Sequence, residues 1–166
     1  MISPSKALGL VRSADDGFEL TFERHISKPT EKVWQALTLP ERIADWLTEA
    51  EVDLRIGGLF RLNFPDHSYA MEGRIVELDP PRLIAWTWPH AQHPASIVRW
   101  ELTPEGEGCR LVLTQTGLKR PELPDVAAGW HAHLECLGGA LDGLSTPWRA
   151  EREREIRTSY AGLAEG

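Results

Sequence analysis

Short segments of alternating apolar and polar residues, separated by turn-forming residues, dominate the middle of this chain and restrict it to a β-rich fold. Residues 18–26 read FELTFERHI, with Phe18, Leu20 and Phe22 on one face, and residues 82–88 read RLIAWTW. Alternation with a period of two predicts strands that each bury one face. Short breaks rich in glycine and proline favour antiparallel neighbours. Seven strands are expected, at residues 18–26, 51–55, 59–64, 69–78, 82–88, 96–103 and 109–116.

Helical patterns interrupt and follow these strands. Residues 29–38 carry proline in the first turn and apolar residues at helical spacing, and Pro40 ends this helix before a short second one at 41–47. A single apolar stripe then predicts a long helix; it consists of Trp130, Leu134, Leu137, Leu141 and Leu144. The order of elements predicts an α+β fold. A curved, seven-stranded antiparallel sheet wraps around the long C-terminal helix, and two short helices lie between strands 1 and 2.

The net charge and the cysteine content limit the partners of the protein. Among 166 residues, 25 acidic and 18 basic side chains give a net charge of −7, which opposes binding to nucleic acid or to an anionic membrane surface. Two cysteines are too few for the disulfide framework of a secreted protein. No apolar run approaches the roughly 20 residues of a membrane span, and the first residues do not read as a signal peptide. We therefore expect a cytoplasmic protein with no nucleic-acid or membrane partner.

The chain is expected to have three parts. Residues 1–17 form an N-terminal arm, residues 18–145 form the folded domain, and residues 146–166 form a charged helical tail with the mixed-charge run RAEREREIR. Trp148 and Ile156 on this tail are eight residues apart. One side of the tail therefore packs either on its own domain or on a second subunit, which leaves a homodimer open.

Several segments, taken in order, resemble a known family. They are FELTFERHI, KPTEKVWQALTLPERIADWL, the Gly57-Gly58 turn with Phe60, Gly73, ELDPPRLIAWTW, VRWELTPEGEGCRLVLTQTGL and GWHAHLECLGGAL. From residue 18 to residue 144 the chain resembles the domain named after the C-terminal part of the activator of heat-shock-protein-90 ATPase, within the START-related (SRPBCC) superfamily. The resemblance implies a helix-grip fold. In that fold a seven-stranded antiparallel sheet grips the C-terminal helix, and a cavity between them holds hydrophobic ligands.

The functions that this resemblance implies are diverse, so the fold alone does not choose among them. The first hypothesis is binding of a small hydrophobic or aromatic molecule in the cavity. The second is a cyclase-type enzyme that uses acid–base chemistry in the same cavity. The third is an interaction module, associated with stress or chaperones, that has a filled core. Co-chaperone members carry a further N-terminal domain with an Asn- and Trp-rich motif that this sequence lacks, so we do not expect activation of heat-shock-protein-90.

The alternation within the strands and the apolar stripe of the long helix predict which residues line the cavity. Seven tryptophans supply large, rigid apolar surfaces that suit either a packed core or the walls of a cavity. The indole N–H groups of the tryptophans in the walls, together with His133, are expected to orient a ligand. The expected cavity-lining residues are Phe60, Leu62, Met71, Trp86, Trp88, Trp100, Trp130, His133, Leu134 and Leu137. His133 is read either as a polar anchor or general base, or as a partly buried histidine bonded to a backbone carbonyl. His131 is expected nearer the solvent side, where Glu135 can pair with it.

The remaining motifs carry little recognisable chemistry. His90 and His93 have the H-x-x-H spacing of metal ligands, but no third ligand lies near them in the sequence, so a solvated loop is favoured and no metal or cofactor is expected. Cys109 and Cys136 are expected to be inert, small apolar side chains. Catalytic residues are left unassigned. The sequence has no motif for nucleophilic hydrolysis, nucleotide hydrolysis or dinucleotide binding.

Overall fold

The alternating segments form one antiparallel sheet in a computed structural model of the chain, which describes residues 7–164. Its strands are β1 (Leu10–Ala14), β2 (Gly17–Ile26), β3 (Glu49–Val52), β4 (Leu59–Phe64), β5 (Tyr69–Asp79), β6 (Leu83–Trp88), β7 (Ser96–Glu105) and β8 (Gly108–Leu118). They lie in the order β1-β2-β8-β7-β6-β5-β4-β3, so β3 to β8 form a meander and β2 pairs with the last strand. The predicted α+β fold with an antiparallel sheet and a long C-terminal helix is confirmed.

The sheet has eight strands, whereas seven were predicted. The additional strand is β1, in the segment expected to be an arm, and it pairs antiparallel with β2 from Leu10↔Thr21 to Ala14↔Gly17. Gly17, with φ 134°, closes the connecting turn. Alternation did not reveal β1 because it is an edge strand whose residues are mostly exposed. Backbone hydrogen bonds rather than a buried face hold such a strand in place.

Four α-helices lie wholly within the described residues: α1 (Thr30–Thr38), α2 (Pro40–Ile43), α3 (Leu123–Leu141) and α4 (Ala150–Arg157). Single 3₁₀ segments occupy Pro65–His67, Arg120–Glu122 and Thr158–Ala164. Helix α3 ends at Leu141, and Leu144, which was predicted to continue its stripe, is 64% exposed. The cause is Gly143, whose φ of 77° turns the chain out of the helix. None of the helices between residues 7 and 164 combines the length and apolar character that crossing a bilayer demands.

The core lies between the inner face of the sheet and α3. Phe60 on β4 stacks on Trp86 on β6 with ring centroids 4.4 Å apart, and Trp100 on β7 meets Trp130 on α3 edge-to-face at 5.5 Å. At Gly73 on β5 the chain passes so close to β6 that a Cβ atom would overlap a backbone carbonyl oxygen. A register shift between β5 and β6 follows two residues later, between Ile75 and Glu77.

The charged tail packs on its own domain. Ile156 and Tyr160 are both buried, and Arg152 on α4 forms an ion pair with Glu135 on α3 at 2.7 Å. The Tyr160 hydroxyl also accepts a hydrogen bond from the Gly9 N–H, at 2.9 Å, so the tail reaches the segment before β1. Of the two packing arrangements open from the sequence, the described residues therefore adopt the one within a single chain. A homodimer stays a prediction.

Candidate functional site

A cavity of about 520 Å³ lies between one end of the sheet and the first half of α3. Strands β4, β6 and β8 finish at this end, and β5 and β7 begin there, so each contributes a terminal side chain. The C-terminal tail adds one wall through Trp148. The lining residues are Leu47, Thr48, Phe64, Pro65, His67, Tyr69, Trp88, His90, Ser96, Gln115, Leu118, Glu122, Asp125, Val126, Gly129, Trp130, His133, Trp148 and Glu153.

Aromatic rings form much of the wall. Trp88 meets Trp130 edge-to-face with centroids 6.0 Å apart, and Phe64 lies against both Trp88 and Tyr69. These contacts follow from register, because the alternation within β4 and β6 turns Phe64 and Trp88 toward α3. Rings that brace one another in this way present flat apolar faces, which suit a planar ligand.

A chain of hydrogen bonds fixes one side of the cavity. The Trp130 indole N–H donates to Gln115 Oε1 at 2.6 Å, and Gln115 Nε2 donates to Ser96 Oγ at 2.8 Å. The Trp148 indole N–H donates to Glu153 Oε1 at 3.0 Å. The indole donor of Trp130, which was expected to orient a ligand, and that of Trp148 are therefore both engaged with the protein. Their role is to hold the walls in place.

The hydrogen bonding of His133, on α3, defines which ring nitrogen carries the proton. Among the described residues, the one partner of Nδ1 is the Trp46 carbonyl oxygen, at 3.1 Å. A carbonyl can only accept a hydrogen bond, so Nδ1 carries the proton. Burial lowers the pKa of His133, which keeps the ring neutral at neutral pH. Nε2 then offers a lone pair. Within residues 7–164 it has no hydrogen-bond partner, and it is not sealed from solvent.

Trp148 lines the cavity on the side of the C-terminal tail. Its ring lies nearly parallel to that of His133, with centroids 6.1 Å apart and an interplanar angle of 11°, and meets His67 edge-to-face at 5.7 Å. Trp148 belongs to the irregular segment between α3 and α4, so its position depends on these side-chain contacts and on the bond to Glu153. Trp148 was not among the predicted cavity residues, because nothing in the sequence shows that the tail folds back over α3.

Three of the ten predicted cavity residues line the cavity: Trp88, Trp130 and His133. The other seven lie in the packed core, none more than 4% exposed; they are Phe60, Leu62, Met71, Trp86, Trp100, Leu134 and Leu137. Strand and helix periods show which face is buried, but not how far along an element the packing opens. Phe64 lines the cavity and shares a face of β4 with Phe60 and Leu62, so the alternation of that strand could have identified it as a cavity residue. Contact of any of these residues with a ligand stays a prediction.

His131 has the opposite environment from the one expected. It is 7% exposed, and its Nδ1 lies 2.7 Å from the Tyr160 hydroxyl, while Nε2 is 3.9 Å from Glu135. The tail covers this side of α3, so His131 is buried there rather than near solvent. Burial lowers the pKa of His131.

The two cysteines are buried and free, and burial raises the pKa of each thiol, so both are poor nucleophiles.

His90 and His93 lie together in the loop between β6 and β7, with ring centroids 3.8 Å apart. Both face Glu122, which ends the 3₁₀ segment before α3. The distances from Glu122 Oε2 are 2.9 Å to His93 Nε2 and 3.5 Å to His90 Nε2. The fold thus supplies an acidic neighbour that lies 29 residues from His93 along the chain.

Residues 27–142 match the family model described as Activator of Hsp90 ATPase homolog 1-like protein. Among solved structures, the chain is similar to CalU16 from Micromonospora echinospora, with 29% identity, a TM-score of 0.76, and 94% of this chain and 95% of that chain covered. It is similar to the protein of gene BPP1335 from Bordetella parapertussis, with 32% identity, a TM-score of 0.74 and coverage of 97% and 94%. DynU16, from the dynemicin biosynthetic locus, shares the fold at 24% identity and a TM-score of 0.70, over 82% of this chain and 52% of that chain. No curated protein matches the chain.

Proposed function

This chain belongs to the family of Activator of Hsp90 ATPase homolog 1-like proteins, in the SRPBCC helix-grip superfamily, and we propose that it binds a small aromatic molecule in the cavity beside α3. The observation that carries the proposal is the combination of braced aromatic walls with one free acceptor, Nε2 of His133. A volume of about 520 Å³ is within the usual range for small-molecule sites, roughly 300–1,000 Å³. The cavity also argues against the hypothesis of an interaction module with a filled core.

The chemistry of the ligand follows from the walls. Trp88, Trp130 and Phe64 favour a planar, mostly apolar body, because stacking and edge-to-face contacts reward flat rings. Nε2 of neutral His133 accepts a hydrogen bond, so a hydroxyl or N–H group on the ligand gains a partner there. We therefore expect phenol-like molecules to bind more tightly than molecules of the same shape whose hydroxyl is blocked.

The test compares 2-naphthol with 2-methoxynaphthalene by isothermal titration calorimetry at pH 7.5. We expect the naphthol to bind about 2–10 times more tightly, which corresponds to about 0.5–1.5 kcal/mol for one net hydrogen bond. His133→Phe retains a flat ring but has no acceptor, so this preference disappears in the variant. Equal affinity of the wild-type chain for the two probes would contradict the role of His133. Failure of both probes to bind would contradict the proposed ligand class.

A second function, acid–base catalysis in the same cavity, is supported by the neutral state of His133. A partly buried, neutral imidazole with a free Nε2 is suited to remove a proton, and the carboxylates of Asp125 and Glu153 line the same space. The test follows deuterium exchange at C1 of 2-tetralone by NMR, with and without protein. Catalysed exchange that is lost in His133→Phe supports an enzyme. Exchange at the uncatalysed rate leaves binding as the function.

A further inference from the structure

We propose that His90, His93 and Glu122 form a binding site for a divalent transition-metal ion in the wall of the cavity. Two imidazoles and one carboxylate form a ligand set that Zn²⁺ uses in proteins. Their ligand atoms all lie within 4.8 Å of one another, and this is the only such group of three among the described residues. His90 and Glu122 also line the cavity, so the ion lies where a bound molecule can reach it.

The distances agree with tetrahedral coordination. Metal–ligand bonds of 2.0–2.2 Å at the tetrahedral angle place the ligand atoms about 3.4 Å apart. Glu122 Oε2 lies 2.9 Å from His93 Nε2 and 3.5 Å from His90 Nε2, close to that separation. The two imidazole rings are stacked with an interplanar angle of 12°, so coordination of one ion by both also requires the exposed His90 ring to turn. The three residues come from two segments, the loop between β6 and β7 and the 3₁₀ segment before α3. A bound ion would therefore join this loop to the beginning of α3.

The hydrogen bonds of His93 prepare it for a metal. Its Nδ1 lies 2.7 Å from the Pro94 carbonyl oxygen, so Nδ1 carries a proton and donates it to that oxygen. A backbone carbonyl that receives the second ring N–H is the usual support for a metal-bound histidine. Nε2 then faces the Glu122 carboxylate, and two electron-rich atoms at 2.9 Å need a positive charge between them. In the metal-free chain a proton fills this role, and metal binding displaces it.

His90 also requires a change of tautomer. The Gln92 N–H donates to His90 Nδ1 at 3.1 Å, so the ring proton is on Nε2 in the metal-free chain. Coordination through Nε2 moves this proton to Nδ1 and turns the Gln92 N–H away. His90 and Gln92 are both exposed, so the Gln92 N–H can donate its hydrogen bond to water instead. We expect this step to reduce the affinity, with His93 and Glu122 as the stronger ligands.

Three protein ligands leave a coordination position open, which is typical of catalytic zinc sites and differs from closed structural sites. Because the ion lies in the cavity wall, the open position can accept water or an oxygen atom of a bound molecule. The inference does not depend on the proposed aromatic ligand, since the metal site is defined by the protein alone.

The test is a titration of the full chain, freed of metal with EDTA, by Zn²⁺ in competition with a chromogenic chelator, followed by Co²⁺ absorption spectroscopy. We expect one Zn²⁺ per chain and visible Co²⁺ bands typical of tetrahedral coordination. His93→Ala and Glu122→Gln should each weaken binding at least about tenfold. The control is His25→Ala: His25 lies 2.9 Å from Glu105 and 3.1 Å from Glu23, but it is not part of the site. This variant should bind as the wild type does.

Circular dichroism of each variant establishes that it is folded before its affinity is interpreted. Absence of stoichiometric binding to the wild-type chain would overturn the proposal. So would unchanged affinity in His93→Ala and Glu122→Gln, because the bound ion would then lie elsewhere. Neither result affects the naphthol titration, which is carried out in the presence of EDTA, so the two proposals can fail separately.

Discussion

Replacement of Tyr160 by phenylalanine tests whether one hydroxyl group holds three parts of the chain together. The Tyr160 hydroxyl accepts the Gly9 N–H at 2.9 Å and lies 2.7 Å from Nδ1 of His131. Its single proton has no other acceptor among residues 7–164, so it is donated to His131. The group thus connects the segment before β1, the middle of α3 and the end of the tail.

Tyr160→Phe removes both bonds without opening a large cavity. His131 is 7% exposed, so its Nδ1 is left in the interior without a donor, and a buried group in that state costs about 1–3 kcal/mol. The Gly9 N–H is only partly buried and can turn to water, so it adds little. For a chain of this size, about 1–3 kcal/mol corresponds to a fall in Tm of about 2–12 °C.

The assay is urea denaturation followed by tryptophan fluorescence and far-ultraviolet circular dichroism, with equal m-values required in all variants. The chain has only two tyrosines, and Tyr69→Phe is a matched control because Tyr69 is 42% exposed. Its free energy of unfolding should change by less than about 0.5 kcal/mol. If Tyr160→Phe is as stable as this control, the hydroxyl does not hold the three parts together and the reasoning fails.

Three further predictions concern the cavity and the core. Trp148→Ala should weaken 2-naphthol binding at least about tenfold, because a whole aromatic wall is lost, while Ile56→Ala, 59% exposed and outside the cavity, should leave the calorimetric affinity unchanged. Burial lowers the pKa of both His131 and His133 in the folded chain. Below about pH 6.5 these two histidines are therefore protonated in the unfolded chain while they remain neutral in the folded chain. Carboxylate partners raise the pKa of His25 and His93, which therefore act in the opposite direction, so the test is a difference between variants. As the pH falls from 7 to 5, the free energy of unfolding of the wild-type chain should fall relative to that of His133→Phe; an unchanged difference would exclude His133 as a source. Gly73→Ala should lose about 1–3 kcal/mol in urea denaturation because its Cβ meets the Thr87 carbonyl oxygen, whereas Gly138→Ala, an exposed helical glycine with open space beside it, should gain about 0.5–1 kcal/mol. Equal stability of these two glycine variants would show that β5 and β6 separate easily.

The arrangement of strands and of the long helix could be predicted because it depends on local periodicity. Phe18, Leu20 and Phe22 alternate with polar residues, and the stripe of α3 repeats every three or four residues, so each element shows which face it buries. Strand β1 could not be found in this way, since an exposed edge strand has no buried face.

The position of the cavity could be predicted only in part. Trp86 and Trp88 share a face of β6, yet Trp86 stacks inside the core while Trp88 lies at the end of the strand, where the cavity begins. That difference depends on where α3 starts and on how the tail folds back, and both are set by contacts between distant residues. For the same reason Glu122 could not be assigned to His90 and His93 before the β6–β7 loop and the start of α3 were brought together.

The place of β2 in the sheet has a consequence for the order of events during synthesis. β2 is among the first strands synthesised, yet its partner on one side is β8. The pairing of residues 17–26 with residues 108–118 therefore cannot form until β8 has left the ribosome. Until then the apolar face with Leu20 and Phe22 has only the short hairpin with β1 and no cover from the core. The meander from β3 to β7 can form first because its neighbours are close in sequence. Completion of the sheet then depends on one late pairing of distant strands, and a nascent chain that stops before β8 exposes a strand edge to aggregation.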